Sequence, residues 1–99
     1  MRSSIDDLHD RPSTRTIAVK TIDAASGSEE GYFWTRTGTG SYLYTFHGES
    51  VIAAVASAVP IGVTASTNPS GETVLVLLSL VTTTSAFNAD HCLIVQVAE

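Results

Sequence analysis

Few side chains in this sequence could do acid–base or nucleophilic work. Three histidines, His9, His47 and His91, and one cysteine, Cys92, stand in a chain of 99 residues. His91 lies between Asp90 and Cys92. Acid, imidazole and thiol are the parts of a proton relay, but neighbours on a strand point to opposite faces, so this trio cannot act as one. No His-x-His or H-E-x-x-H spacing is present to hold a metal. A single cysteine excludes an intrachain disulfide and a cysteine-type zinc site. No G-x-S-x-G elbow presents a serine nucleophile. Glu29, Glu30, Glu49, Glu72 and Asp90 could serve as acid and base if two of them met, yet their spacing selects no pair. The expectation is a protein that is not an enzyme, with no catalytic residues, no cofactor and no metal.

The stretch WTRTGTGSYLYTF, residues 34–46, contains the one fragment that suggests a ligand loop, Gly38-Thr39-Gly40. A phosphate-cradling G-x-G-x-x-G needs a third glycine and a helix opening behind it. Here Ser41-Tyr42-Leu43 follows, and then more β-rich sequence. The glycines therefore read as a turn between two strands, since glycine reaches positive φ without steric cost. Trp34, Arg36 and Tyr44 fall at alternate positions of this region. They are candidate ligand-stacking residues for a sugar, although aromatics so spaced more often pack a core.

The elements that would position these residues follow from composition and pattern. The formal net charge is −5 and only Lys20 is a lysine, with a sequence pI near 4.9. Nucleic-acid binding needs a basic footprint, and there is none. The N-terminal stretch has no apolar run of the secretory kind, and the apolar run at 51–63 is broken by Ser57, Pro60 and Gly62, too short for a membrane span. Synthesis in a cytoplasm is expected, without membrane insertion.

Residues 1–14, closed by Pro12 and carrying Ile5, Asp6, Asp7 and Leu8, read as an extended, solvated arm able to dock on a partner. Residues 15–99 read as one domain. Strands are expected at 15–22, 32–37, 41–46, 60–66, 72–83 and 92–98, with loops at 25–31 and 84–91 and a turn at 67–71. The segment 49–59 suits a helix by its alanines or a strand by its valines. About seven short strands without βαβ alternation make an all-β, antiparallel sandwich or jelly-roll-like fold.

The strand VLVLLSLV, residues 74–81, is apolar on both faces, where a solvated sheet should be apolar on one. The last strand repeats this. A mean hydropathy of +0.20 and a charged fraction of 15% add to the impression of surplus apolar surface. Leu75, Leu77, Val81 and Ile94 are therefore candidate residues of an oligomer interface, covered by other copies of the chain.

The run Arg36-Thr37-Gly38-Thr39-Gly40-Ser41-Tyr42-Leu43-Tyr44-Thr45-Phe46 resembles the R-T-G-x-G-x-Y-x-V-x-F opening of β-sandwich modules in bacteriophage tail fibres, tail tips and other virion appendages. The likeness extends over about residues 31–98, through Pro60–Ala65 and Val81–Phe87. It implies a homotrimer, a virion location, contact with other virion proteins and, in attachment heads, with a host surface glycan. It brings no catalytic residues. A capsid decoration protein and a soluble carbohydrate-binding module are the alternatives.

Overall fold

The computed structural model describes residues 14–98. They form eight strands: β1 (Thr14–Thr21), β2 (Ser26–Glu29), β3 (Tyr32–Gly38), β4 (Ser41–Thr45), β5 (Ser50–Ala58), β6 (Val63–Ser70), β7 (Thr73–Leu80) and β8 (His91–Ala98). Every pairing is antiparallel. One sheet has the order β1-β8-β5 and the other β2-β3-β4-β7-β6. The fold is an all-β sandwich. The expected arm, with Ile5, Asp6, Asp7 and Leu8, lies outside the described residues apart from Thr14, which begins β1.

Alternation supplies the core. Tyr42, Tyr44 and Phe46 point inward from β4, as their period-two spacing predicts, with Trp34 beside them on β3. Val74, Val76 and Leu78 of β7 complete that layer. Leu93, Val95 and Val97 of β8 and Val19 of β1 face it from the three-stranded sheet. The rings pack in series, with Trp34 and Tyr44 centroids 5.9 Å apart and Tyr44 and Phe46 6.4 Å apart.

The structure decides the reading left open for 49–59 and differs from the sequence expectation at several other places. The 49–59 segment is strand β5, because pairing with β8 along its length outweighs the helical preference of alanine. A bulge at Ile52 then turns Ala54, Ala56 and Ala58 inward. These small side chains let β5 approach β6 at the closed edge, where Thr67 Oγ1 donates to Ala54 O at 2.8 Å. The expected loop at 25–31 contains the short edge strand β2. Thr67 to Ser70 belong to β6, and the turn sits at Gly71-Glu72, with Gly71 at φ +61°. Pro69 is accommodated because β6 is an edge strand. Strand β7 stops at Leu80, and Pro60 to Gly62 form a turn before β6.

Candidate functional site

The charged and nucleophilic groups can be placed first. The ring of His91 is fully buried. Its Nδ1–H donates to Ala89 O at 2.9 Å. That fixes Nε2 as an acceptor, and the Tyr44 hydroxyl donates to it at 2.7 Å. The same hydroxyl is hydrogen-bonded to Thr21 Oγ1. Burial pushes the His91 pKa below its ordinary value of 6.5 and pushes the Tyr44 phenol up to about 12. A neutral imidazole and a neutral phenol, sealed from solvent, make a structural tie, not an acid–base pair open to a substrate. Asp90 and Cys92 lie on either side of His91, and Cys92 points to the outer face.

Next to this tie sits a second polar cluster. Tyr42 donates to Asp23 Oδ1 at 2.7 Å, and Arg36 Nη1 donates to the same oxygen at 3.2 Å. Asp23 holds a left-handed backbone, φ +34°, which these two bonds help to fix. Burial, then the Asp23 contact, raises the Tyr42 pKa. Arg36 therefore serves the fold. Trp34 is 8% exposed and Tyr44 0%. Neither offers a ring face to a sugar, and the stacking platform expected of Trp34, Arg36 and Tyr44 is not formed.

The acids of the described residues do not gather into a site. Arg15 pairs with Glu49, and Glu72 Oε1 accepts from Gly48 N at 3.0 Å. No cluster of three or more histidine, cysteine or acidic side chains able to hold a metal occurs among the described residues. No described helix is long and apolar enough to cross a membrane. Gly40 has φ +68° and closes the β3–β4 hairpin. A Cβ there would lie 2.5 Å from Leu78 O. Its amide donates to Asn88 Oδ1 at 2.5 Å, so the G-x-G serves as a turn and a clamp.

What remains is the pair of outer faces. On the five-stranded sheet, Leu75 pairs with Leu43 and is half-buried, while Leu77 stands 45% exposed between Ser41 and Ser66. Phe33 is exposed on the same face. Around them lie Thr35, Thr45, Thr64 and Ser79, all uncharged. On the three-stranded sheet, Ala18, Ile94 and Val55 form one row across β1, β8 and β5. Ile94 is 52% exposed there, and among the described residues Lys20 is the one charged side chain facing out. The four expected interface residues thus do not share one surface. Leu75 and Leu77 lie on one side of the sandwich and Ile94 on the other. Val81 is in the turn after β7, at the end of the molecule. The sequence did not reveal that among the described residues Lys20 is the one charge on the two outer faces, although the run from Ser50 to Ala89, with Glu72 its one charged residue, carried that signal.

A cleft of about 360 Å³ opens beside Leu77, where the hydroxyls of Thr39, Thr64, Ser66, Ser79 and Thr84 share the wall with the apolar Ala65, Leu78 and Ala86. Comparison with known proteins returned no matching family model, curated protein or solved structure.

Proposed function

We propose that this chain is a structural assembly module, working by packing its outer sheet faces against other copies and neighbouring subunits in a larger particle. The observation that supports this reading is the distribution of charge. An acidic chain whose described residues keep all charge but Lys20 off two broad faces has surfaces on which like-charged copies can approach. The exposed apolar side chains on these faces, Leu77 and Phe33 on one and Ile94 with Val55 on the other, provide the driving force. A homotrimer in a bacteriophage tail fibre, tail tip or attachment module is the specific form, and it rests on the resemblance of residues 36–46. A capsid decoration protein would use the same faces against shell subunits. The cleft beside Leu77, which has five hydroxyl side chains among its otherwise apolar walls, supports a second reading, a glycan-binding module.

Light scattering at micromolar concentration tests assembly. The expected result is a mass above that of one chain, lowered by Leu77→Lys or Ile94→Lys with the circular dichroism unchanged. Placing an unpaired charge in a buried seam costs several kcal/mol, on the order of 3–5. A wild-type monomer at every concentration would refute the proposal. A glycan array that is positive, and loses its signal in Thr64→Val, would favour the second reading.

A further inference from the structure

The two ends of the sandwich differ as much as its faces. The register Thr21↔His91↔Ala58 places Ile22, Asp90 and Val59 together at one end. Val63↔Leu80 places Gly62 and Val81 at that same end. Backbone bonds hold the end in shape: Val59 N donates to Asp90 O at 2.9 Å, and Val81 N to Gly62 O at 2.8 Å. Ile61 projects from the turn and is fully exposed, with Val59 and Val81 beside it more than half exposed and Ile22 likewise exposed at the far edge of the same end, across β8. Such a tip is preorganised, so little entropy is lost in covering it.

The charges near the tip cancel. Asp23 is engaged by Arg36 and Tyr42, and Lys20 and Asp90 flank the end with opposite signs. The opposite end holds Glu29, Glu30, Glu49 and Glu72, with Arg15 the one lysine or arginine there among the described residues. This polarity restricts how a second copy can cover Ile61. Head-to-tail stacking would press the apolar tip onto carboxylates and strip their water without giving them partners, which is costly. Packing tip on tip covers the isoleucines and valines and keeps the two acidic ends farthest apart.

We infer that the Val59–Ile61–Val81 tip is a self-association surface whose occupant is the same tip of a second copy, related by a two-fold axis. Such a contact is isologous and closed. A lipid bilayer is the weaker fit, because near the tip the described residues offer only Lys20 and an Arg36 already held by Asp23 as positive charge for phosphate headgroups. The inference does not depend on the lateral packing proposed above, which uses other surfaces.

The test is sedimentation velocity of the full chain over a hundredfold concentration range, for wild type, Ile61→Asp, Leu77→Lys and Ile94→Lys. Ile61 makes no core contact that its loss would disturb, and circular dichroism verifies the fold. The expected result is a species of twice the mass that Ile61→Asp abolishes, and that 0.5 M NaCl strengthens by screening the glutamates. The outer-face variants keep this Ile61-dependent doubling even where they lose lateral association. A mass distribution unchanged by Ile61→Asp overturns the inference and leaves lateral packing standing. A monomeric wild type overturns both. Flotation with neutral phosphatidylcholine vesicles is run alongside. Binding that Ile61→Asp removes would assign the tip to lipid and overturn the second copy as occupant.

Discussion

The Tyr44 hydroxyl donates to Nε2 of His91 across 2.7 Å, and this bond joins the two sheets. Tyr44 lies on β4 of the five-stranded sheet and His91 opens β8 of the three-stranded one. Thr21 of β1 holds the same hydroxyl. Three strands from both layers therefore meet at one oxygen, inside a core otherwise held by apolar packing. Polar groups so buried specify geometry, since any shift leaves one of them unpaired. Every buried side-chain nitrogen and oxygen among the described residues has a partner.

Tyr44→Phe removes that oxygen while keeping the ring. Both Thr21 Oγ1 and His91 Nε2 then lose a partner in a site closed to water. The expected loss is about 1–3 kcal/mol. In a domain of this size each kcal/mol lowers the melting temperature by roughly 4–8 °C. Thermal unfolding followed by circular dichroism reads the difference, and an unchanged midpoint would show that the tie adds nothing.

Stability should fall in mild acid. His91 has its folded-state pKa lowered from 6.5, first by burial. Below pH 6.5 the unfolded chain takes up a proton that the folded chain refuses. The stabilisation is therefore whole above pH 6.5 and is lost progressively as pH falls from there to the folded pKa. Tyr42 and Tyr44 face the imidazole as neutral groups, and the nearby Asp23 and Asp90 only partly offset the burial. Urea midpoints measured from pH 8 to pH 5 should drop below pH 6.5 in wild type. In His91→Gln the drop over that window should be absent, although the variant is less stable throughout.

Much of the fold was legible because alternation is a local signal. Tyr42, Tyr44 and Phe46 fall inward by spacing alone, and VLVLLSLV betrayed its two apolar faces. The helix-or-strand ambiguity at 49–59 could not be resolved locally, since β8 decides it from forty residues away in sequence. The turn at 67–71 was misplaced because Asn68 and Pro69 favour turns, while an edge strand tolerates both. The place of Ile94 on the face opposite Leu77 required the sheet assignment, which no period in the sequence encodes. For the same reason His91 gave no sign of its bond to Tyr44.

The two glycines of the G-x-G should behave unequally. Gly40→Ala meets strain at φ +68°, and its Cβ would lie against the backbone of Leu78 and Phe87. Backbone on both sides cannot rotate away, so the cost should exceed the ~1 kcal/mol of an ordinary glycine substitution in this region. Gly38→Ala has open space around it and no positive φ, and its effect should lie within about 0.5 kcal/mol. Equal losses in chemical denaturation would contradict the hairpin geometry.

Trp34 is the one tryptophan, and its fluorescence reports the core directly. The indole is buried and its Nε1–H donates to Ala24 O at 3.4 Å. Gly27, paired with Trp34 across β2 and β3, lies under the ring, and a Cβ there would run into it. Wild-type emission should accordingly be blue-shifted and resist acrylamide. Gly27→Ala should shift it to the red and raise quenching, because the ring must move off the short edge strand into water. Added oligosaccharides should leave the wild-type spectrum unchanged even where a glycan binds the cleft beside Leu77, since the ring lies inside the sandwich and that cleft is on its outer face. Saturable quenching by a sugar would mean that Trp34 reaches a ligand surface, and would contradict its place in the core.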